Sequence, residues 1–131
     1  MLVSYLNSSG PANANGVAWL WHSNVFPVFC SNTFSALDDE EHIKFCLLHA
    51  AEASHSQVLK IETHKFEPQG VTGFALLAES HLSIHTWPEK GIAKCDIFTC
   101  GEKCEPQKAV EYLGKVFKAK KIKSDTFDRL L

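Results

Sequence analysis

Apolar residues recur along this chain with two different periods. From Asp38 to Ala53 the spacing is helical: Ile43, Cys46, Leu47, Ala50 and Ala51 fall on one stripe. Asp38 and Glu41 stand in capping-box relation at its start. A second helix is expected to begin at Pro106, where Ala109, Val110, Leu113, Val116 and Phe117 recur at helical spacing and a helix-like stretch reaches Lys121. Between them, Gln57 to Phe66, Val71 to Ala78, His81 to Trp87 and Ala93 to Cys100 read as strands. Pro68-Gln69-Gly70, the Glu79-Ser80 junction and Pro88-Glu89-Lys90-Gly91 separate them. Residues 121–129 add a candidate edge strand. Short strands punctuated by two helices predict an α+β fold, a two-layer sandwich with a mainly antiparallel sheet and both helices on one face.

Alternation within the third of these strands sorts its side chains. His81, Ser83 and His85 share one face, and Leu82, Ile84 and Thr86 the other. The apolar face should meet the helices, so the polar face is either wet or packed on another sheet. Ser80 and His85 are an odd number of residues apart and point oppositely on an unbroken strand, so direct cooperation between them requires a bend after Ser80.

The amino-terminal part reads differently. Residues 1–16 end in a polar, small-residue stretch from Asn7 to Gly16 that cannot offset the entropy of ordering by burial, and they are expected to form a mobile tail. Apolar residues return from Val17 to Cys30, but Pro27 lacks a ladder donor, which argues against a regular strand there. Residues 17–131 are expected to form one domain, for which 131 residues and 45% apolar content suffice.

A formal net charge of −2 leaves no nucleic-acid footprint. Lys115, Lys118, Lys120, Lys121 and Lys123 read as the solvated end of the second helix. The longest apolar stretch, Gly16 to Phe29, is broken by His22-Ser23-Asn24 and Pro27, so no membrane partner is expected. Five cysteines at unpatterned spacings, with no basic leader before them, fit a reducing cytoplasmic compartment.

Chemistry concentrates in three segments: Phe66 through Pro68-Gln69-Gly70-Val71-Thr72-Gly73, then Ala78-Glu79-Ser80-His81-Leu82-Ser83-Ile84-His85-Thr86-Trp87-Pro88-Glu89, then Asp96-Ile97-Phe98-Thr99-Cys100-Gly101. A serine that attacks the carbonyl of its preceding residue converts an amide to an ester, and β-elimination of that ester leaves an α-keto group at a new chain terminus. Together the segments resemble the prokaryotic-type S-adenosylmethionine decarboxylases, which are pyruvoyl enzymes. The match is close over residues 64–101. It continues more loosely through Glu105-Pro106 and the second helix and back into Leu37 to Ala53. His22 and Cys30 keep the interval of a His and a Cys in the family's first strand, whereas Phe26 replaces an acidic residue usual there.

The resemblance implies cleavage between Glu79 and Ser80 into pieces 1–79 and 80–131, with Ser80 becoming the pyruvoyl cofactor that forms a Schiff base with the substrate amine. It implies that His85 accepts the proton during processing, that Cys100 donates a proton in catalysis, and that Thr72 assists the first processing step. A free thiol's pKa of about 8.5 suits Cys100 to proton exchange. Thr72 reads equally well as a β-branched strand residue. Phe66 and Trp87 would line an adenine site, and Glu89 would accept from ribose hydroxyls. The family also implies a homodimer with catalytic groups at a sheet-to-sheet interface.

The expected activity is decarboxylation of S-adenosylmethionine, a small-molecule substrate, to the aminopropyl donor of spermidine synthesis. Alternatives are a related decarboxylase of arginine or ornithine, an unprocessed homologue that only binds or regulates, and a metal module using Cys95, Cys100, Cys104 and a histidine. The last lacks any CxxC pair, so no metal is expected.

Overall fold

A computed structural model describes residues 21–30, 34–100 and 103–128. The expected tail, residues 1–16, lies outside them, as do the side chains of His22, Phe26 and Cys30 and position 129 of the predicted edge strand. Strand β1 (Trp21–Cys30) is followed by a short helix α1 (Phe34–Asp38) and by α2 (Glu40–Ala53). Four strands come next: β2 (Val58–Lys65), β3 (Val71–Leu77), β4 (Ser80–Trp87) and β5 (Ile92–Cys100). Helix α3 (Pro106–Val116) leads into β6 (Ala119–Ile122) and β7 (Asp125–Asp128). The sheet runs β2-β3-β4-β5-β1-β6, with β7 also paired to β1, and every pairing is antiparallel.

The helical stripe of α2 is buried as its spacing predicts, through Ile43, Cys46, Leu47, Ala50 and Ala51. It packs on the inner sheet face, where Val71, Ala75, Leu82, Ile84, Ala93, Cys95 and Ile97 alternate with outward residues. Gly73 lets the two layers meet: a Cβ there would stand 2.7 Å from Leu47 Cδ1 and 3.2 Å from Ile84 Cγ2. Each fully buried Leu or Ile in this layer contributes about 1.5–3 kcal/mol.

Four expectations are corrected. The helix cap is Asp39, whose carboxylate accepts from the His42 N–H at 3.0 Å, because Asp38 is engaged elsewhere. Asp38 accepts from Lys65 Nζ at 2.6 Å and from the Gly70 N–H at 2.8 Å, tying α1 to the β2–β3 turn. Second, β1 spans ten residues despite Pro27, with an irregularity in its pairing to β6 between Phe29 and Cys30. Pro27 lies opposite Lys94 on one side and, on the other, between the segment paired with β7 and that paired with β6. A missing donor is tolerated at such a break. Third, α3 stops at Val116 instead of reaching Lys121. Phe117 is fully buried, Lys118 takes φ +48°, and β6 folds back so that Ile122 sits over Gly114. Lys120 and Lys121 are therefore strand residues, exposed as expected. Fourth, the single edge strand predicted over 121–129 is two short strands, both docked on β1.

Among the described residues no helix is long and apolar enough to cross a membrane.

Candidate active site

The β3–β4 connection has only two residues, Ala78 and Glu79, with Leu77 paired to Ser80 across it. Two-residue hairpins match strand twist by placing positive φ in the loop itself, usually on Gly or Asn. Neither Ala78 nor Glu79 has positive φ; the residue that does is Ser80, at +153°. That torsion lies in a region almost reserved for glycine and costs of order 1–3 kcal/mol. It is also the torsion immediately following the Glu79-Ser80 amide. Three contacts hold the hairpin in place: Ala78 N–H donates to Gln57 O at 2.9 Å, Gln57 N–H donates to the Glu79 carboxylate at 3.0 Å, and Cys100 N–H donates to Glu79 O at 3.2 Å.

The Glu79 carbonyl oxygen accepts twice from one residue. Besides the backbone N–H, the Cys100 thiol donates to it at 2.8 Å. Two donors on one carbonyl polarise it toward attack at carbon, and both would hold an oxyanion formed there. Cys104 lies next to this pair: its thiol donates to Cys100 O at 3.7 Å and accepts from the Ser56 hydroxyl at 3.8 Å. Burial pushes the Cys104 thiol up, against the opposing effect of the Ser56 bond. Thr99, opposite Ser80 in the β4–β5 register, keeps a buried hydroxyl with no partner among the described residues.

The remaining predicted residues gather at the other end of the sheet. Thr72 and His85 face each other across β3 and β4, with Thr72 Oγ1 2.9 Å from His85 Nδ1. Trp87 lies beside His85 at 6.5 Å between ring centroids, and Lys94 Nζ stands 5.4 Å over the Trp87 ring. Phe66 is exposed just past the end of β2, packed edge-on to His64, and Glu89 is exposed in the 3₁₀ turn Pro88–Lys90. Strand β4 pairs without interruption from Ser80 to Trp87, so the bend needed to bring Ser80 to His85 is absent. Five residue steps along β4 put Ser80 and His85 roughly 16 Å apart. Within one chain, Ser80, Glu79 and Cys100 form one group, and Thr72, His85, Trp87, Phe66 and Glu89 another.

Two residues that sequence reasoning left without a role stand at the first group. His81 Nδ1 lies 3.3 Å from Ser80 Oγ, and its Nε2 lies 3.5 Å from Asp96 Oδ2. Asp96 opens the third motif segment, but only strand register shows that it reaches His81. The cysteines sort by strand parity: Cys95 faces the core and Cys100 the opposite side, which keeps them from sharing a ligand. Burial pushes the Cys46 thiol up to about 12, as suits an inert core residue.

The S-adenosylmethionine decarboxylase family model matches residues 29–130. The chain belongs to that family. It is 53% identical over 85 residues to an S-adenosylmethionine decarboxylase proenzyme of Synechococcus sp. (strain WH7803), covering 65% of this chain and 66% of the relative. A Prochlorococcus marinus (strain MIT 9211) proenzyme is 47% identical over 100 residues, covering 76% of this chain and 82% of its own. One from Methanococcus maripaludis (strain C7) is 48% identical over 93 residues, covering 71% and 75%. The crystal structure of the adenosylmethionine decarboxylase from Aquifex aeolicus VF5 superposes with a TM-score of 0.77 at 31% identity, covering 86% of this chain and 92% of that one.

Proposed function

We propose that this family member is a proenzyme that cuts itself between Glu79 and Ser80 and then decarboxylates S-adenosylmethionine, supplying the aminopropyl donor for spermidine synthesis. The observation that carries the reading is the junction itself: a serine at φ +153° follows a carbonyl that accepts from both the N–H and the thiol of Cys100. Attack by Ser80 Oγ on the Glu79 carbonyl carbon would use both donors, and the strained torsion would be released when the amide carbon–nitrogen bond then breaks. The junction thus suits a pyruvoyl group derived from Ser80, which would supply an electron sink for loss of the substrate carboxylate. Cys100, already at the junction, would carry the proton needed afterwards at carbon.

His85 and Thr72 enter through a second copy of the chain. The outer sheet face exposes Phe74 at 41% and Leu76 at 42%, an apolar patch suited to pairing with its own copy. A two-fold axis lying in that interface and perpendicular to the strands would set opposite ends of the two sheets against each other. The partner's Thr72, His85, Phe66, Trp87 and Glu89 would then surround Ser80. His85 would remove the Ser80 α-proton from the ester, and the aromatic side chains and Glu89 would receive adenosine. The site would be composite, with the two protomers serving each other.

Mass spectrometry of purified protein tests the cleavage: pieces 1–79 and 80–131 are expected from wild type and an intact chain from Ser80→Ala. Carbon dioxide release from S-adenosylmethionine, arginine and ornithine, offered separately, tests the substrate. Release from either amino acid in preference to S-adenosylmethionine would replace the substrate assignment and leave the cleavage standing.

A further inference from the structure

Ser80 must lose its hydroxyl proton as it attacks the Glu79 carbonyl, and the residues that could take that proton are few. His85 of the same chain is roughly 16 Å away along β4, and the His85 that a second copy would bring is given to the later loss of the α-proton. His81 Nδ1 is 3.3 Å from Ser80 Oγ. The other ring nitrogen, Nε2, points to Asp96 Oδ2 at 3.5 Å. A carboxylate at Nε2 favours the tautomer protonated there, which leaves the Nδ1 lone pair directed at the serine. The imidazole is also held in plane: Phe74 stacks on it at 5.5 Å and 20°, and Phe98 flanks it at 5.7 Å. Side chains of His81 and Asp96 are both 27% exposed in the single chain, so the pair is partly shielded even before a second copy covers the face.

From this arrangement we infer that His81, positioned by Asp96 and clamped between Phe74 and Phe98, is the general base of the acyl shift that opens the Glu79-Ser80 amide. The inference rests on the reading that this amide is the cleavage site, and it assigns His81 to a step before the one given to His85. In that step the Ser80 hydroxyl proton passes to His81 Nδ1 while Oγ bonds to the Glu79 carbonyl carbon. The carbonyl oxygen becomes an oxyanion between the N–H and thiol of Cys100. The imidazolium returns its proton to the Ser80 nitrogen as the carbon–nitrogen bond breaks, giving an ester at Oγ and a free amine. Electrons and protons balance without a co-reactant. His81 is a catalytic residue of processing; Asp96 is a positioning residue.

Hydroxylamine separates the two histidines, because near neutral pH it cuts esters far faster than amides, and scission at Asn15-Gly16, the chain's single Asn-Gly bond, gives pieces of a different size. Purified full-length wild type, His81→Ala, His81→Phe, Asp96→Asn and His85→Ala would be followed by electrophoresis with and without it. His81→Ala is expected to cleave at least about 100-fold more slowly than wild type, to remain hydroxylamine-resistant, and to recover with added imidazole. His81→Phe keeps a flat ring between Phe74 and Phe98 and should be equally blocked, whereas Asp96→Asn should be slowed about tenfold or more. His85→Ala should accumulate the hydroxylamine-sensitive ester. Processing of either His81 variant within threefold of wild type, an ester trapped in His81→Ala, or no recovery with imidazole would overturn the inference. Absence of cleavage in wild type would instead remove the underlying reading of the junction.

Discussion

Cys100 touches the Glu79 carbonyl, the one proposed for attack, before any substrate can arrive, so its replacement should be felt twice. Cys100→Ala keeps the backbone N–H on Glu79 O and loses the thiol donor. A full oxyanion donor is worth about 10²–10³ in rate, and a thiol is a weaker donor, so processing should slow by about tenfold to a hundredfold. Turnover of whatever does process should be poor. Cys100→Ser, which restores a donor, should process faster than Cys100→Ala, a comparison that electrophoresis over a time course reads directly. Equal processing rates in the two variants would show that the thiol bond to Glu79 is incidental. At this scale the motif segments picked out the candidate residues, since residue types and spacings are local. Their grouping was hidden, because the distance between Ser80 and His85 depends on β4 running straight, and the reach of Asp96 to His81 depends on β4–β5 register.

Among elements, the junction of α1, α2 and the β2–β3 turn hangs on Asp38. The hydrogen bond from Lys65, joined by that from the Gly70 N–H, holds its carboxyl below the usual carboxylate range. A carboxyl whose folded value is depressed adds stability that is complete above its unfolded value of about 3.9 and is lost as pH falls toward the folded value. Urea unfolding of an uncut Ser80→Ala background should therefore weaken below about pH 4, and less so when Asp38→Asn is added. In the same background Gly73→Val should cost about 1–3 kcal/mol, because a branched side chain must displace Leu47 and Ile84 where α2 meets the sheet. A variant as stable as its parent would mean that α2 shifts freely on the sheet. The elements themselves were legible where periodicity is strong, as in α2, whose buried stripe is the one the sequence pattern selects. Boundaries set by long-range contacts were not. The cap moved to Asp39 because Asp38 is taken by Lys65, and α3 ended early because Ile122 returns over Gly114.

For the whole molecule, the separation of the two residue groups predicts complementation between chains. Co-expressed Ser80→Ala and His85→Ala should yield cleaved chains that carry His85→Ala, produced only in the mixture; their absence would end the composite-site proposal. The sheet order β2-β3-β4-β5-β1-β6 decides how two pieces cut after Glu79 would stay together. Strands β1, β2 and β3 would belong to one piece and β4 to β7 to the other, yet β1 is gripped by β5 on one edge and by β6 and β7 on the other. The pieces are interleaved instead of set side by side, with seams at β3–β4 and along both edges of β1. Cutting the hairpin tip therefore frees neither piece: they can part only by unzipping every seam at once. A cut chain would unfold by dissociation of its two pieces, which adds a rise of the midpoint with protein concentration beyond any that pairing between copies gives the uncut chain.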